Sequence, residues 1–180
     1  MKSIVATPNP VFSAPARTVT SFDKRLTKLI RNMKATFRAA KHPKGVGLAA
    51  PQIGEPWRVF ITRPTEKSEI RVFINPDIVK QSSDQTVGVP GRENKLEGCL
   101  SIPKIWGKVK RATTLTLRYK DETGASHEEH FTGFLATIIQ HETDHTNGVL
   151  FVQRVLEQKG KLYQAAKDEN GKEILEEVTI

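Results

Sequence analysis

The chain has 180 residues and a formal net charge of +8. This length predicts one domain spanning residues 1–180, and the lack of an apolar run of about 18 residues argues against a transmembrane helix. The N-terminal residues match neither a secretory signal nor an organelle transit peptide, so we expect a cytoplasmic protein, and we expect it to be a monomer.

An amphipathic helix is predicted near the N-terminus, over residues 21–40. Thr20 and Asp23 are the candidates for capping its first turn. We interpret this helix as scaffold. Its apolar residues recur at intervals of 4, 3, 1, 3 and 4, the pattern of one helical face: Phe22, Leu26, Leu29, Ile30, Met33 and Phe37.

A glycine-rich segment follows at residues 45–52, which read GVGLAAPQ. Gly45 and Gly47 allow a backbone to approach a ligand closely, and Gln52 can present an amide N–H to an oxyanion. The segment fails as a dinucleotide fingerprint, because Ala50 stands at the third glycine and no clear strand precedes it. An ordinary loop entering a packed face of small residues is the alternative interpretation.

The only cysteine lies in the sequence EGCLS, residues 97–101. Strands are predicted before it at 57–61 and 70–74, followed by an enlarged loop over 81–95. A lone cysteine excludes an intramolecular disulfide and is typical of a reducing compartment. Gly98 favours a tight turn in which Cys99 is available as a metal ligand. A small buried apolar side chain is the alternative for this cysteine.

A basic cluster follows the cysteine. It predicts either binding to phosphates, such as those of ribosomal RNA, or a solvated surface. No sequence signature of an RNA-binding module accompanies it, and a pure binding module is the non-enzymatic alternative. The cluster also holds one aromatic residue and consists of Lys104, Trp106, Lys108, Lys110 and Arg111.

The most informative motif is HExxH at residues 141–145, on a helix predicted over 133–146 and ended by Asn147 and Gly148. Strands at 113–119 and 126–131, joined by a turn at 121–124, precede this helix. His141 and His145 are one turn apart on one face and can bind one divalent cation. Glu142, beside that cation, can take a proton from water.

The residues after HExxH separate the possible kinds of metal enzyme. Phe151 stands where metzincin proteases have their third histidine, so that class is excluded. A generic zinc endopeptidase would need a later glutamate, either Glu157, Glu169 or Glu173, from a charged tail. We treat residues 155–180 as a variable tail, with a short helix within 156–180 and a final strand at 178–180.

The same helix predicts an apolar wall beside the metal. Phe134, Ile138, His141 and His145 are spaced by 4, 3 and 4 residues and share one narrow stripe. We expect Phe134 and Ile138 to contact the substrate and Val46 to close the other side. Core packing is the alternative, and we predict it for two neighbouring residues, Leu135 and Ile139.

Together, GVGLAAPQ, EGCLS and QHETDH resemble the three signature motifs of the peptide deformylases, in order and spacing. The resemblance covers about residues 5–155. It implies an α+β fold in which antiparallel β-sheets wrap around the helix that carries HExxH. It also implies removal of the formyl group from the N-terminal formylmethionine of newly made polypeptides.

Carried over by position, the resemblance implies one divalent metal, usually Fe²⁺, with Zn²⁺, Ni²⁺ and Co²⁺ as alternatives. Glu142 would be the general base, and the Gln52 side chain and the Leu100 N–H would form the oxyanion hole. Arg111 would pair with Asp144. The metal ligands would be Cys99, His141 and His145. The expected substrate contacts are Gly45, Val46, Gly47, Glu97, Phe134 and Ile138.

Overall fold

The computed structural model describes residues 1–40, 45–91, 96–167, 169 and 171–178. Within these ranges there are three α-helices: α1 (Lys24–Ala39), α2 (Gly133–Thr146) and α3 (Phe151–Glu157). The strands of the same ranges are β1 (Gly47–Ala49), β2 (Val59–Thr62), β3 (Arg71–Gln81), β4 (Gln85–Val87), β5 (Glu97–Cys99), β6 (Ile102–Gly107), β7 (Lys110–Ala112), β8 (Thr114–Lys120), β9 (Ser126–Thr132), β10 (Leu162–Lys167) and β11 (Glu173–Glu177).

The strands form three sheets, of which the largest has the order β1-β2-β3-β8-β9. A four-stranded sheet has the order β11-β10-β6-β5, and β4 pairs with β7. All pairings between these strands are antiparallel, which confirms the predicted α+β class. Across the described residues, none of the helices combines the length and apolar character needed to cross a membrane.

Helix α1 buries the predicted apolar face but begins later than expected. The Asp23 side chain accepts hydrogen bonds from the backbone N–H groups of Arg25 and Leu26, at 2.8 and 3.1 Å. Asp23 is therefore the cap, and Phe22 lies before the helix and is 38% exposed. The buried face packs against the large sheet through Leu26, Leu29, Ile30, Met33 and Phe37.

Helix α2 is almost entirely buried, including its polar residues. Ile139 packs in a core of the large sheet, with Leu135 partly buried against it, as predicted. The Gln140 side chain bonds to both the N–H and the C=O of Ala112 on β7, each at 3.0 Å. The predicted end of this helix at Asn147 and Gly148 is also confirmed. Gly148 has φ +74, and a Cβ there would meet the backbone of Ala14 at 2.6 Å.

The segment predicted as a loop over 81–95 is more ordered than expected. Strand β3 extends to Gln81, and β4 pairs with β7, so Thr86 lies opposite Arg111. Residues 92–95 lie outside the described residues. Short strands of this kind are stabilised by pairing with residues distant in sequence, which local periodicity does not reveal.

The C-terminal tail also differs from the prediction. Helix α3 begins at Phe151, before the expected region, and β11 ends at Glu177, so Val178 is outside the strand. Residues 179–180 lie outside the described residues. Strand β10 pairs with β6, and Leu162 joins a core cluster that includes Cys99 and Val155. The tail therefore supports the sheet that carries the cysteine.

We expect Leu162→Ala to lower the free energy of unfolding by about 2–5 kcal/mol, since a buried leucine would leave a cavity. Leu162 is 8% exposed, whereas Leu175 on β11 is 43% exposed. The control Leu175→Ala should change stability by about 0.5 kcal/mol or less. Urea denaturation measures both variants, and equal effects would contradict a structural role for β10.

Candidate metal centre

Three potential metal ligands converge between β5 and α2. The ligand atoms of Cys99, His141 and His145 all lie within 4.8 Å of one another. Cys99 Sγ is 3.2 Å from His145 Nε2, and the two imidazole centroids are 4.9 Å apart. The helical spacing places both histidines on one face of α2, and the end of β5 supplies the thiol.

The cysteine lies in a strand rather than in the tight turn predicted at Gly98. Strand β5 covers Glu97–Cys99, and the turn comes afterwards, at Leu100 and Ser101. Gly98 lies against the Trp106 side chain, where a Cβ would meet Cδ1 at 2.9 Å. The glycine is therefore required for close packing of the two strands.

The donor set fits a catalytic metal. One thiolate and two imidazoles are ligands that Zn²⁺ and other divalent transition metals accept, and three protein ligands are typical of catalytic zinc sites. His145 Nδ1 is buried and has no hydrogen-bond partner among the described residues. Of the glutamates named for the endopeptidase alternative, Glu157 and Glu169 do not join this group: Glu157 pairs with Arg154 at 3.2 Å, and Glu169 is exposed.

A buried ion network holds the metal ligands in place. Glu97 accepts a 2.6 Å hydrogen bond from His141 Nδ1, which directs Nε2 of that ring towards the other ligands. Arg111 donates two hydrogen bonds to Glu97, at 2.6 and 2.9 Å, and one to Asp144 at 3.0 Å. Asp144 also pairs with Arg154 at 2.7 Å. The predicted Arg111–Asp144 pair is thus present.

The network also determines the charge of Glu97. Burial by itself raises the pKa of this carboxyl group, but the charge of Arg111 and the hydrogen bonds to Arg111 and His141 lower it well below its ordinary value. Burial lowers the pKa of Arg111, and Glu97 and Asp144 outweigh it, so the guanidinium stays charged. Glu97 is therefore an anion that neutralises Arg111 and orients His141.

Glu142 has a different environment from Glu97. Burial raises its pKa to about 7, and Oε2 has no hydrogen-bond partner in the described part of the chain. Gly47 on β1 lies directly against it, because a Cβ there would meet Glu142 Cδ at 2.7 Å. A glycine at this position is thus needed for the carboxyl group to occupy the site. A carboxyl group with a pKa near neutral can both accept and release a proton.

Gln52 lies in a short 3₁₀ helix (Ala50–Ile53) that follows β1. Its Oε1 accepts a 2.8 Å hydrogen bond from the Ala49 N–H, so the amide nitrogen faces the other way. That nitrogen lies 3.3 Å from Cys99 Sγ. Leu100 follows the cysteine and lines the same cavity. A side-chain amide and a backbone turn therefore flank the thiol.

These groups open into a cavity of about 400 Å³, a size suited to a small ligand. All the residues expected to contact the substrate line this cavity, namely Gly45, Val46, Gly47, Glu97, Phe134 and Ile138. Sequence reasoning missed the part of the lining contributed by β4–β6 and their loops, namely Val89, Ile102, Pro103, Lys104, Ile105 and Trp106. The sequence groups Trp106 with a basic cluster, whereas the structure places it on β6 in the lining of the cavity, and its nearness to EGCLS in the chain is the one sequence signal for that position.

Comparison with known proteins identifies the family. A family model described as polypeptide deformylase matches residues 1–161. The chain belongs to this family. A peptide deformylase of Dehalococcoides mccartyi is 34% identical over 177 residues, covering 98% of this chain and 99% of the relative. One from Opitutus terrae is 40% identical over 159 residues, covering 82% and 81%.

Solved deformylase structures match the same architecture. The Thermotoga maritima enzyme has a TM-score of 0.76 and 36% identity, covering 86% of this chain and 97% of that one. An Acinetobacter baumannii class I type b deformylase with Met-Ala-Ser bound has a TM-score of 0.75 and 33% identity, covering 86% and 98%. Family membership confirms the expected activity: this deformylase removes the N-formyl group from newly made polypeptides.

We expect Arg111→Met to lower the free energy of unfolding by about 3–5 kcal/mol, since it leaves a buried carboxylate without its counter-ion. The control is Arg118→Met, which removes a pair with Glu128 whose two side chains are 60% and 53% exposed. Such a surface pair contributes about 0–1 kcal/mol. Urea denaturation compares the variants, and a small loss for Arg111→Met would show that the network does not stabilise the fold.

Proposed function

We propose that deformylation takes place at one divalent metal held by Cys99, His141 and His145. The convergence of these donors beside Glu142 carries the proposal. Fe²⁺ is the proposed native metal because it is usual in the family, with Zn²⁺, Ni²⁺ or Co²⁺ able to replace it. When bound, such a metal lowers the pKa of water and polarises the formyl carbonyl group.

In this proposal Glu142 moves the proton. It takes one from the water that attacks the formyl carbon and delivers it to the amine nitrogen as the C–N bond breaks. The products are formate and a free N-terminal methionine. Support comes from the carboxyl oxygen without a hydrogen-bond partner among the described residues and from the pKa of about 7, which suits a group that both accepts and donates.

Gln52 and Leu100 act as the oxyanion hole. Negative charge develops on the formyl oxygen during attack, and the Gln52 amide and the Leu100 N–H donate hydrogen bonds to it. The hydrogen bond from Ala49 to Gln52 Oε1 fixes which end of the amide faces the cavity. Because the donor is held in place before the reaction, little reorganisation is needed when the charge appears.

The methionine side chain lies against Phe134, Ile138 and Val46, three of the apolar residues that line the cavity. Gly45 and Gly47 let the peptide backbone approach. The Glu97 carboxylate is hydrogen-bonded to His141 and Arg111, so its proposed role is to position His141. Only the backbone of Glu97 is then available to contact the substrate. The Acinetobacter baumannii relative with Met-Ala-Ser bound supports a peptide ligand of this class.

We further propose that residues 1–180 act as a monomeric catalytic domain in the cytoplasm, close to the ribosome. The net charge of +8 and the exposed Lys108 and Lys110 favour association with RNA phosphates. The basic cluster contributes less than its sequence predicts, because Arg111 is buried in the ion network and Trp106 lines the cavity.

Glu142→Gln should reduce kcat for formate release from a formyl-Met-Ala-Ser peptide by about 10²–10⁴-fold, since the proton acceptor is lost. Metal content and the unfolding transition should be retained. The matched control, Glu157→Gln at the exposed end of α3, should leave both formate release and metal content unchanged. Full turnover by Glu142→Gln would eliminate this residue as the general base.

Cys99→Ala should strip the metal, because two imidazoles alone bind it weakly. Metal content after dialysis and formate release are measured on the same sample, with metal-retaining Glu142→Gln as the reference. A generic zinc endopeptidase, completed by a later glutamate, would instead keep its metal after this change. Stoichiometric metal in Cys99→Ala would therefore rule out the proposed ligand set.

A further inference from the structure

The lining of the cavity shows where a bound peptide leaves it. Most lining residues are buried or partly buried, whereas Pro103 and Lys104 on β6 are exposed. They are the only exposed lining residues in the described part of the chain. A peptide whose first residue occupies the inner cavity must therefore pass Pro103 and Lys104 as it continues into solvent.

The backbone of β6 is irregular at this point. Gly98 pairs with Trp106 but the next residue, Cys99, pairs with Ile102, so residues 103–105 have no partner on β5 and form a bulge, although Ile105 still pairs with Gln164 on β10. Within the bulge Lys104 has φ +65, a left-handed conformation that is uncommon for a lysine. Bulges near active sites redirect side chains, and strained backbone is concentrated at functional sites.

The charge at this opening is unbalanced. Among the described residues, Lys104 has no carboxylate or hydrogen-bond partner, and the other charged residues of the lining are Glu97 and Glu142 in the interior. The charge of Glu97 is already neutralised by Arg111 at 2.6 Å. An ammonium group without a counter-ion, at the exit of a peptide site, favours a carboxylate on the emerging peptide.

We propose that Lys104 is a specificity-determining residue that favours formylmethionyl peptides with Asp or Glu at the second or third position. The inference rests on the proposed deformylation and assigns it a preference beyond methionine. An exposed ion pair changes kcat/KM by about two- to fivefold, so a modest preference is expected. High salt should reduce it, because exposed charges are screened.

The test compares formyl-Met-Ala-Glu, formyl-Met-Ala-Gln and formyl-Met-Ala-Lys, with the corresponding peptides substituted at the second position. All are amidated at the C-terminus, so that no terminal carboxylate competes. The readouts are the ratios of kcat/KM for the Glu peptide and for the Lys peptide to that for the Gln peptide, and these ratios cancel any general loss of activity. Wild type should favour Glu at one of the two positions by about two- to fivefold. Lys104→Gln should abolish the preference, and Lys104→Glu should reverse it in favour of the Lys peptide.

Lys108→Glu is the matched control, since Lys108 is an exposed lysine directly after the end of β6 and does not line the cavity. It makes the same change in net charge as Lys104→Glu and should keep the wild-type ratio. An unchanged ratio in Lys104→Glu, or an equal shift in Lys108→Glu, would overturn the inference. Failure of wild type to release formate from the Gln peptide would instead overturn the proposed function.

Discussion

The active-site architecture depends on the buried ion network around Arg111. This residue on β7 bonds Glu97 at the start of β5 and Asp144 on α2, so one guanidinium joins the strand that carries Cys99 to the helix that carries both histidines. Burying these charges is costly, and their mutual attraction together with their hydrogen bonds offsets that cost. The network therefore holds the strand with the thiol close to the helix with the imidazoles.

The buried polar side chains of helix α2 are subject to the same cost of burial. A helix buried on nearly every side normally carries apolar residues, yet α2 carries glutamine, histidine, glutamate and aspartate side chains. Gln140 and His141 are paired with Ala112 and Glu97. In the described structure, the buried side-chain atoms of this helix without a hydrogen-bond partner are Glu142 Oε2, Thr143 Oγ1 and His145 Nδ1. Two of these three residues, Glu142 and His145, belong to the site where we propose the reaction takes place.

The two sides of the cavity have different origins. The lining residues on α2, β1 and β5 lie in or beside the signature motifs, whereas those on β6 lie outside them, on a strand that pairs with β10 of the C-terminal hairpin. Leu162 on β10 packs in the same core cluster as Cys99. The tail thereby supports the site, and none of its described residues contributes to the lining.

The sequence alone determined the local features. The 3.6-residue period predicted α1 and α2, the HExxH spacing placed two histidines on one face, and Gly148 marked a helix end, because each depends on neighbours within a few residues. Only the tertiary structure showed that Glu97 bonds His141 instead of presenting its carboxylate to substrate, and that Arg111 is buried. It also showed the strands β4 and β10 and the bulge at Lys104. These features depend on pairing between segments that are distant in sequence, and local sequence patterns do not show which strands will pair.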